Sequence, residues 1–95
     1  MEGAIKVEFY GLLRRRVRKS VVEIEADDLT ILALLRLADD GARERFLDEL
    51  LDPERALLAG TIVLVNGENI RLKQGLETRV RAGDTVALFS PAGGG

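Results

Sequence analysis

The chain has neither cysteine nor histidine. That excludes disulfides, a thiolate nucleophile, a Cys/His zinc site and an imidazole base. Chemistry carried here must use carboxylates, hydroxyls, the three lysines or the carboxyl end. Long apolar runs are missing too. The longest, Ile31 to Leu35, is five residues, far short of the ~20 needed to span a bilayer. The amino-terminal Met1-Glu2-Gly3-Ala4-Ile5-Lys6 has no basic stretch followed by a long apolar one, so no signal peptide is expected and a cytoplasmic location follows by default. No charge of one sign predominates. The 32% charged residues nearly cancel to −2, which leaves no global field to attract nucleic acid or an acidic membrane.

At 95 residues with 46% hydrophobic content, one domain with one modest core is expected. In Ala4 to Tyr10, the residues Ile5, Val7 and Phe9 alternate with Lys6, Glu8 and Tyr10, the pattern of a strand with one buried face. Gly11 to Lys19 carries Arg14, Arg15, Arg16, Arg18 and Lys19 and reads as a long basic loop, leading to a second strand over Ser20 to Glu25. Asp27, Asp28 and Thr30 offer N-cap oxygens to a helix from Ile31 to Ala38, with Ile31, Leu34, Leu35 and Ala38 on one face. Phe46, Leu47, Leu50 and Leu51 recur at helical spacing and predict a second helix over Ala42 to Leu51. Thr61 to Val65 is a β-branched run. Asn66-Gly67 then signals a hairpin turn into Glu68 to Leu72, and Thr85 to Phe89 forms the last strand.

The expected order is β, β, α, (α), β, β, β, an α+β fold whose sheet of four to five strands packs on one main helix. The last strand is placed mid-sheet, parallel to the first, because the helical segment is long enough for a crossover. Residues 1–90 are expected to form the domain and residues 91–95 a flexible tail. Gly93, Gly94 and Gly95 are the one segment that packing does not explain. Without Cβ atoms such a tail can thread a narrow channel, whereas the alternative is an inert, disordered end.

Three segments, taken in order, resemble the β-grasp sulfur carriers, in particular the MoaD-like small subunit of molybdopterin synthase, with ThiS and the ubiquitin-like modifiers as relatives. These are Ile5-Lys6-Val7-Glu8-Phe9-Tyr10-Gly11-Leu12-Leu13-Arg14, Val65-Asn66-Gly67-Glu68 and Asp84-Thr85-Val86-Ala87-Leu88-Phe89-Ser90-Pro91. The stretch from Gly41 to Gly60 is longer than a minimal carrier needs, which favours the MoaD-like group over ThiS. The tail ends in three glycines, whereas that group has a small residue before a diglycine.

The resemblance implies a β-grasp fold and a co-substrate that is not itself an enzyme. An E1-like adenylating enzyme would use ATP to join AMP to Gly95, and a sulfur donor would then convert the carboxylate to a thiocarboxylate. The sulfur would pass to a cyclic pterin precursor on a MoaE-like large synthase subunit, in a heterotetramer, to build molybdenum or tungsten cofactor. No bound cofactor or metal is expected. Tyr10, Phe89 and Arg14 match family positions that contact the large subunit, although as aromatics Tyr10 and Phe89 could equally be partly buried core. Extended, Ser90 to Gly95 spans at most ~20 Å, and Pro91 restricts the tail's root. Alternatives are a ubiquitin-like modifier joined to lysines through Gly95, a ThiS-like carrier for thiamine, and a plain interaction domain. Nucleic-acid binding by Arg14 to Lys19 is disfavoured by the acidic balance and the lack of interleaved aromatics. Asp27-Asp28, Asp39-Asp40 and Asp48-Glu49 are expected to be caps and solvated faces.

Overall fold

The computed structural model describes residues 3–91. Five strands form a mixed sheet in the order β2-β1-β7-β4-β5: β1 (Ala4–Tyr10), β2 (Val21–Glu25), β4 (Ile62–Val65), β5 (Glu68–Asn69) and β7 (Thr85–Phe89). Strand β7 lies between β1, to which it is parallel, and β4, to which it is antiparallel. Both the α+β class and the central parallel closing strand agree with expectation. Helix α2 (Ile31–Asp40) packs on one face of the sheet, burying Ile31, Leu34, Leu35 and Ala38 against Ile5, Val7, Val86 and Leu88. Each of the isoleucine, leucine and valine side chains contributes about 1.5–3 kcal/mol by leaving water.

Four details differ from the sequence reading. Gly11–Val17 is a helix, α1, and not a basic loop. Arginine is a good helix former, Arg14, Arg15 and Arg16 sit favourably in the last turn, and Leu13 and Val17, four apart, are buried. Arg18, in the left-handed region at φ 65°, ends the helix, its N–H donating to the Arg14 carbonyl at 2.8 Å.

The helix expected over Ala42–Leu51 reduces to a 3-10 turn at Leu47–Glu49. Asp39 is the cause. Its Oδ1 accepts the N–H groups of Phe46 at 2.7 Å and Leu47 at 3.1 Å, while its Oδ2 takes Arg45 Nε at 2.6 Å. Those backbone donors are turned back toward the end of α2 and are lost to a new helix. The apolar residues are nevertheless buried as anticipated. Phe46 meets Phe9 edge to face at 5.2 Å between centroids.

Strand β5 stops after two residues because Asn69 Oδ1 accepts the Arg71 N–H at 2.9 Å and starts a 3-10 turn over Ile70–Leu72. The Asn66-Gly67 turn itself forms, with φ of 51° and 89°, the paired positive values of a type I′ hairpin. Finally, β3 (Asp28–Thr30) and β6 (Arg79–Arg81) make a second, two-stranded sheet. Thr30 alone caps α2, through Oγ1 and the Ala33 N–H at 3.2 Å. Asp28 sits instead in β3, paired with Arg79 at 2.9 Å.

Candidate functional site

Strand alternation divides the main sheet into two faces. Val7, Phe9, Val63, Val86 and Leu88 turn toward the helices and are buried, so Tyr10, Ile62, Leu64, Ala87 and Phe89 lie on the opposite face. Register then assembles a row at the sheet end where β7 finishes. Tyr10 pairs with Phe89 across the parallel ladder, and Ile62 pairs with Phe89 across the antiparallel one. The Tyr10 and Phe89 rings are stacked, 4.7 Å apart and 8° from coplanar. Tyr10 and Ile62 are each 40% exposed, and neighbouring Leu12 is 54% exposed. Together they make an apolar surface at the end of the central strand.

Tyr10 is also held by charge. Its hydroxyl donates to Glu8 Oε1 at 2.8 Å. That hydrogen bond, helped by desolvation and the Glu8 charge, raises the phenol's pKa against the opposing pull of Arg14. The ring therefore stays neutral and oriented. Arg14 sits exposed on α1, near enough for its charge to act on the phenol.

Beyond Phe89 the chain runs through Ser90 to Pro91, which rests on Gly60. Gly60 has φ of +89°, and a Cβ there would lie 3.3 Å from the Pro91 Cβ. This close approach requires glycine. The turn around it is pinned on both sides. Arg71 Nη2 donates to the carbonyls of Leu58 at 3.2 Å and Thr61 at 3.3 Å, and Thr61 Oγ1 donates to the Leu50 carbonyl at 3.1 Å. Between Tyr10, Leu12, Ile62 and Pro91 is a shallow groove of 320 Å³. Gly60→Ala is expected to cost about 1–2 kcal/mol from left-handed strain alone. It should also shift Pro91, to be read as a lower melting temperature together with changed amide signals at Ser90.

Gly93, Gly94 and Gly95 lie outside the described residues. Among the described residues, no three acidic side chains are arranged to hold a metal ion, and no helix is long and apolar enough to cross a membrane. Asp39 is neither a cap nor a solvated face but a buried bracket for the loop that follows α2. Asp48 and Glu49 are exposed in the 3-10 turn.

Sequence reasoning identified Tyr10 and Phe89 but missed Leu12, Gly60, Ile62 and Arg71. Ile62 stands in an uninterrupted apolar run, Ile-Val-Leu-Val, where alternation leaves no visible mark. Leu12 was hidden in a segment dominated by arginine, and the partners of Gly60 and Arg71 come from distant parts of the chain. The spacing of Leu13 and Val17 was the one local sign that residue 12 lies on an outward helical position.

A family model, the ThiS family, matches residues 7–95. A curated relative from Archaeoglobus fulgidus, provisionally named a sulfur carrier protein, is 34% identical over 92 residues, covering 97% of this chain and 99% of the relative. Among solved structures, SAMP1 from Haloferax volcanii superposes with a TM-score of 0.81 at 24% identity, covering 98% of this chain and 100% of that one. A chain of the Amycolatopsis orientalis BexX/CysO complex superposes with a TM-score of 0.78 at 28% identity, covering 97% and 100%. The fold is therefore the ubiquitin-like β-grasp.

Proposed function

We propose, from the premise that this chain belongs to the ThiS family, that it is a sulfur carrier whose working atom is the carboxyl carbon of Gly95. A carboxylate is a poor acyl donor until its oxygen becomes part of a good leaving group. One Gly95 oxygen attacks the α-phosphorus of ATP on an E1-like adenylating enzyme, expelling pyrophosphate and forming the acyl-adenylate. Sulfide from the donor then attacks the carboxyl carbon, and AMP leaves with the bonding electron pair. The product is a terminal thiocarboxylate. Gly93, Gly94 and Gly95 enter the activating enzyme's channel as bare backbone.

The observation that carries this reading is the seating of Pro91 on Gly60 beside the stacked Tyr10 and Phe89, at the end of the central strand. A tail root fixed in this way loses less entropy when the tail is inserted. The adjoining apolar row offers aromatic anchors of the kind that dominate protein interfaces. In the finer reading, Tyr10, Phe89 and Arg14 dock on a MoaE-like large subunit in a heterotetramer, and the sulfur goes to a cyclic pterin precursor for molybdenum or tungsten cofactor. The carrier contributes no catalytic side chain.

Intact-mass measurement of the protein purified from its native cells tests the chemistry. A species heavier by about 16 Da, the exchange of one oxygen for sulfur, is expected. Finding only unmodified carrier together with isopeptide conjugates through Gly95 would replace the sulfur-carrier reading with that of a protein modifier. Reconstitution with the large subunit and the cyclic pterin precursor tests the acceptor. A thiocarboxylate that transfers no sulfur to the pterin would exclude the molybdopterin role while leaving carriage of sulfur intact.

A further inference from the structure

A wide cleft lies on the other face of the sheet from Tyr10 and Phe89, and the sulfur-carrier chemistry does not use it. It measures 750 Å³ and runs between β2 and the C-terminal end of α2. Its floor is apolar, formed by Phe9, Val17, Val22, Ile24 and Ala42, and its rim carries Arg18, Lys19 and Arg43 against one acid, Glu23. Such a combination selects for an occupant with apolar contacts and negative charge at its margins.

A second, independent feature defines the occupant's shape. Strand β2 is the terminal strand of the sheet. The Phe9 N–H donates to the Ser20 carbonyl at 2.9 Å, and Val7 pairs with Val22 and Ile5 with Ile24. In an antiparallel ladder the bonded pairs alternate, so Ser20, Val22 and Ile24 direct their backbone groups toward β1. The N–H and C=O groups of Val21, Glu23 and Glu25 therefore point outward, an edge with no strand partner among the described residues. A strand added there would lie along the cleft, with every second side chain directed onto Val22 and Ile24.

We propose that this edge and cleft bind an extended, acidic segment of a partner protein as an added strand: alternate apolar residues rest on Val22 and Ile24, and flanking carboxylates meet Arg18, Lys19 and Arg43. The acids belong at the ends, beside the basic side chains, because the exposed Glu23 and Glu25 would repel acids placed opposite the middle of β2. Main-chain hydrogen bonds supply affinity in this mode, and the side-chain pockets supply specificity. Because the cleft and the Tyr10–Phe89 row lie on opposite faces, the segment can bind while the tail is engaged elsewhere.

The test is titration of the isotope-labelled full chain with an acetylated, amidated probe peptide, Asp-Asp-Val-Ile-Val-Ile-Asp. Amide shifts are expected at Val21, Glu23 and Glu25, together with side-chain methyl shifts at Val22, Ile24 and Ala42. N-methylation of alternate peptide amides should abolish binding, and replacing the peptide's acids with lysine should weaken it at least about tenfold, as should the variant carrying both Arg18→Glu and Arg43→Glu. These exposed substitutions leave the core intact, and an unchanged melting temperature confirms folding. No shifts at millimolar peptide would overturn the proposal. So would shifts confined to α1 and insensitive to N-methylation, which would mean charge attraction without strand addition. Concentration-dependent shifts at β2 in the absence of peptide would overturn it in favour of pairing between two copies of this chain.

Discussion

The Gly95→Phe protein is expected to fold and melt like the parent and to lose at least about a hundredfold in adenylation rate, since misplacing a reacting group by about 1 Å costs on that order. The substitution lies beyond Pro91, outside the described residues, and is not one of the core side chains from Ile5 to Leu88. What changes is the width of the chain at the reacting carbon. ATP–pyrophosphate exchange with the cognate activating enzyme measures the first half-reaction, and thermal denaturation provides the control. Normal exchange with Gly95→Phe would show that no narrow channel grips the terminus. Gly94→Phe should behave similarly, whereas a substitution at exposed Leu72 should leave exchange unchanged.

The second large effect concerns stability. Asp39→Ala is expected to destabilise the fold by about 2–4 kcal/mol, because the Phe46 and Leu47 N–H groups lose their buried acceptor. For a domain of this size that corresponds to a melting temperature lower by roughly 10–25 °C. Arg45→Ala, which removes an exposed partner and leaves the two backbone bonds in place, should show a small fraction of the effect. If the two variants melted alike, the bracket would be the ion pair and not the backbone contacts.

Burial of the Asp39 carboxyl pushes its pKa up, but the Phe46 N–H, Arg45 and the Leu47 N–H outweigh this and hold it below its ordinary value. A group depressed on folding contributes stability that is fully present above the unfolded value near 3.9 and is lost as pH falls through the lower folded value. The gap between parent and Asp39→Ala should therefore be constant from neutral pH to about 5 and narrow below about 4.

Where a full run of residues alternates between a buried and a wet face, the sequence reveals the structure, whereas the two buried residues of α1, Leu13 and Val17, leave too short a pattern among the arginines. In β1, polar Lys6 and Glu8 interrupt Ile5, Val7 and Phe9, and in α2 the apolar side chains fall on one face. The hairpin at Asn66-Gly67 was equally legible, because the residue pair itself specifies the turn. Elements set by distant partners were not. Asp39 stops a helix by bonding residues seven and eight positions away, and the propensity of residues 42–51 contains no trace of that contact. Likewise β3 and β6, three residues each, exist because Leu29 meets Val80, 51 positions further along the chain. At the candidate site the aromatic anchors followed from alternation and resemblance. The Gly60 seat beneath Pro91 required knowledge of which loop passes under the last strand.

Because β7 fills the middle of the sheet, the ladders on both its sides are completed only when Thr85–Phe89 has been made. During synthesis, β1 must wait for a neighbour encoded nearly eighty residues later, so the emerging chain holds no finished sheet until Thr85–Phe89 leaves the ribosome. Nascent fragments, stalled products and chains cut short before that strand would thus have neither the Tyr10–Phe89 row nor the seat for Pro91. Quality control is built into the order of assembly: the row and the seat exist only in a chain that has been made through Thr85–Phe89.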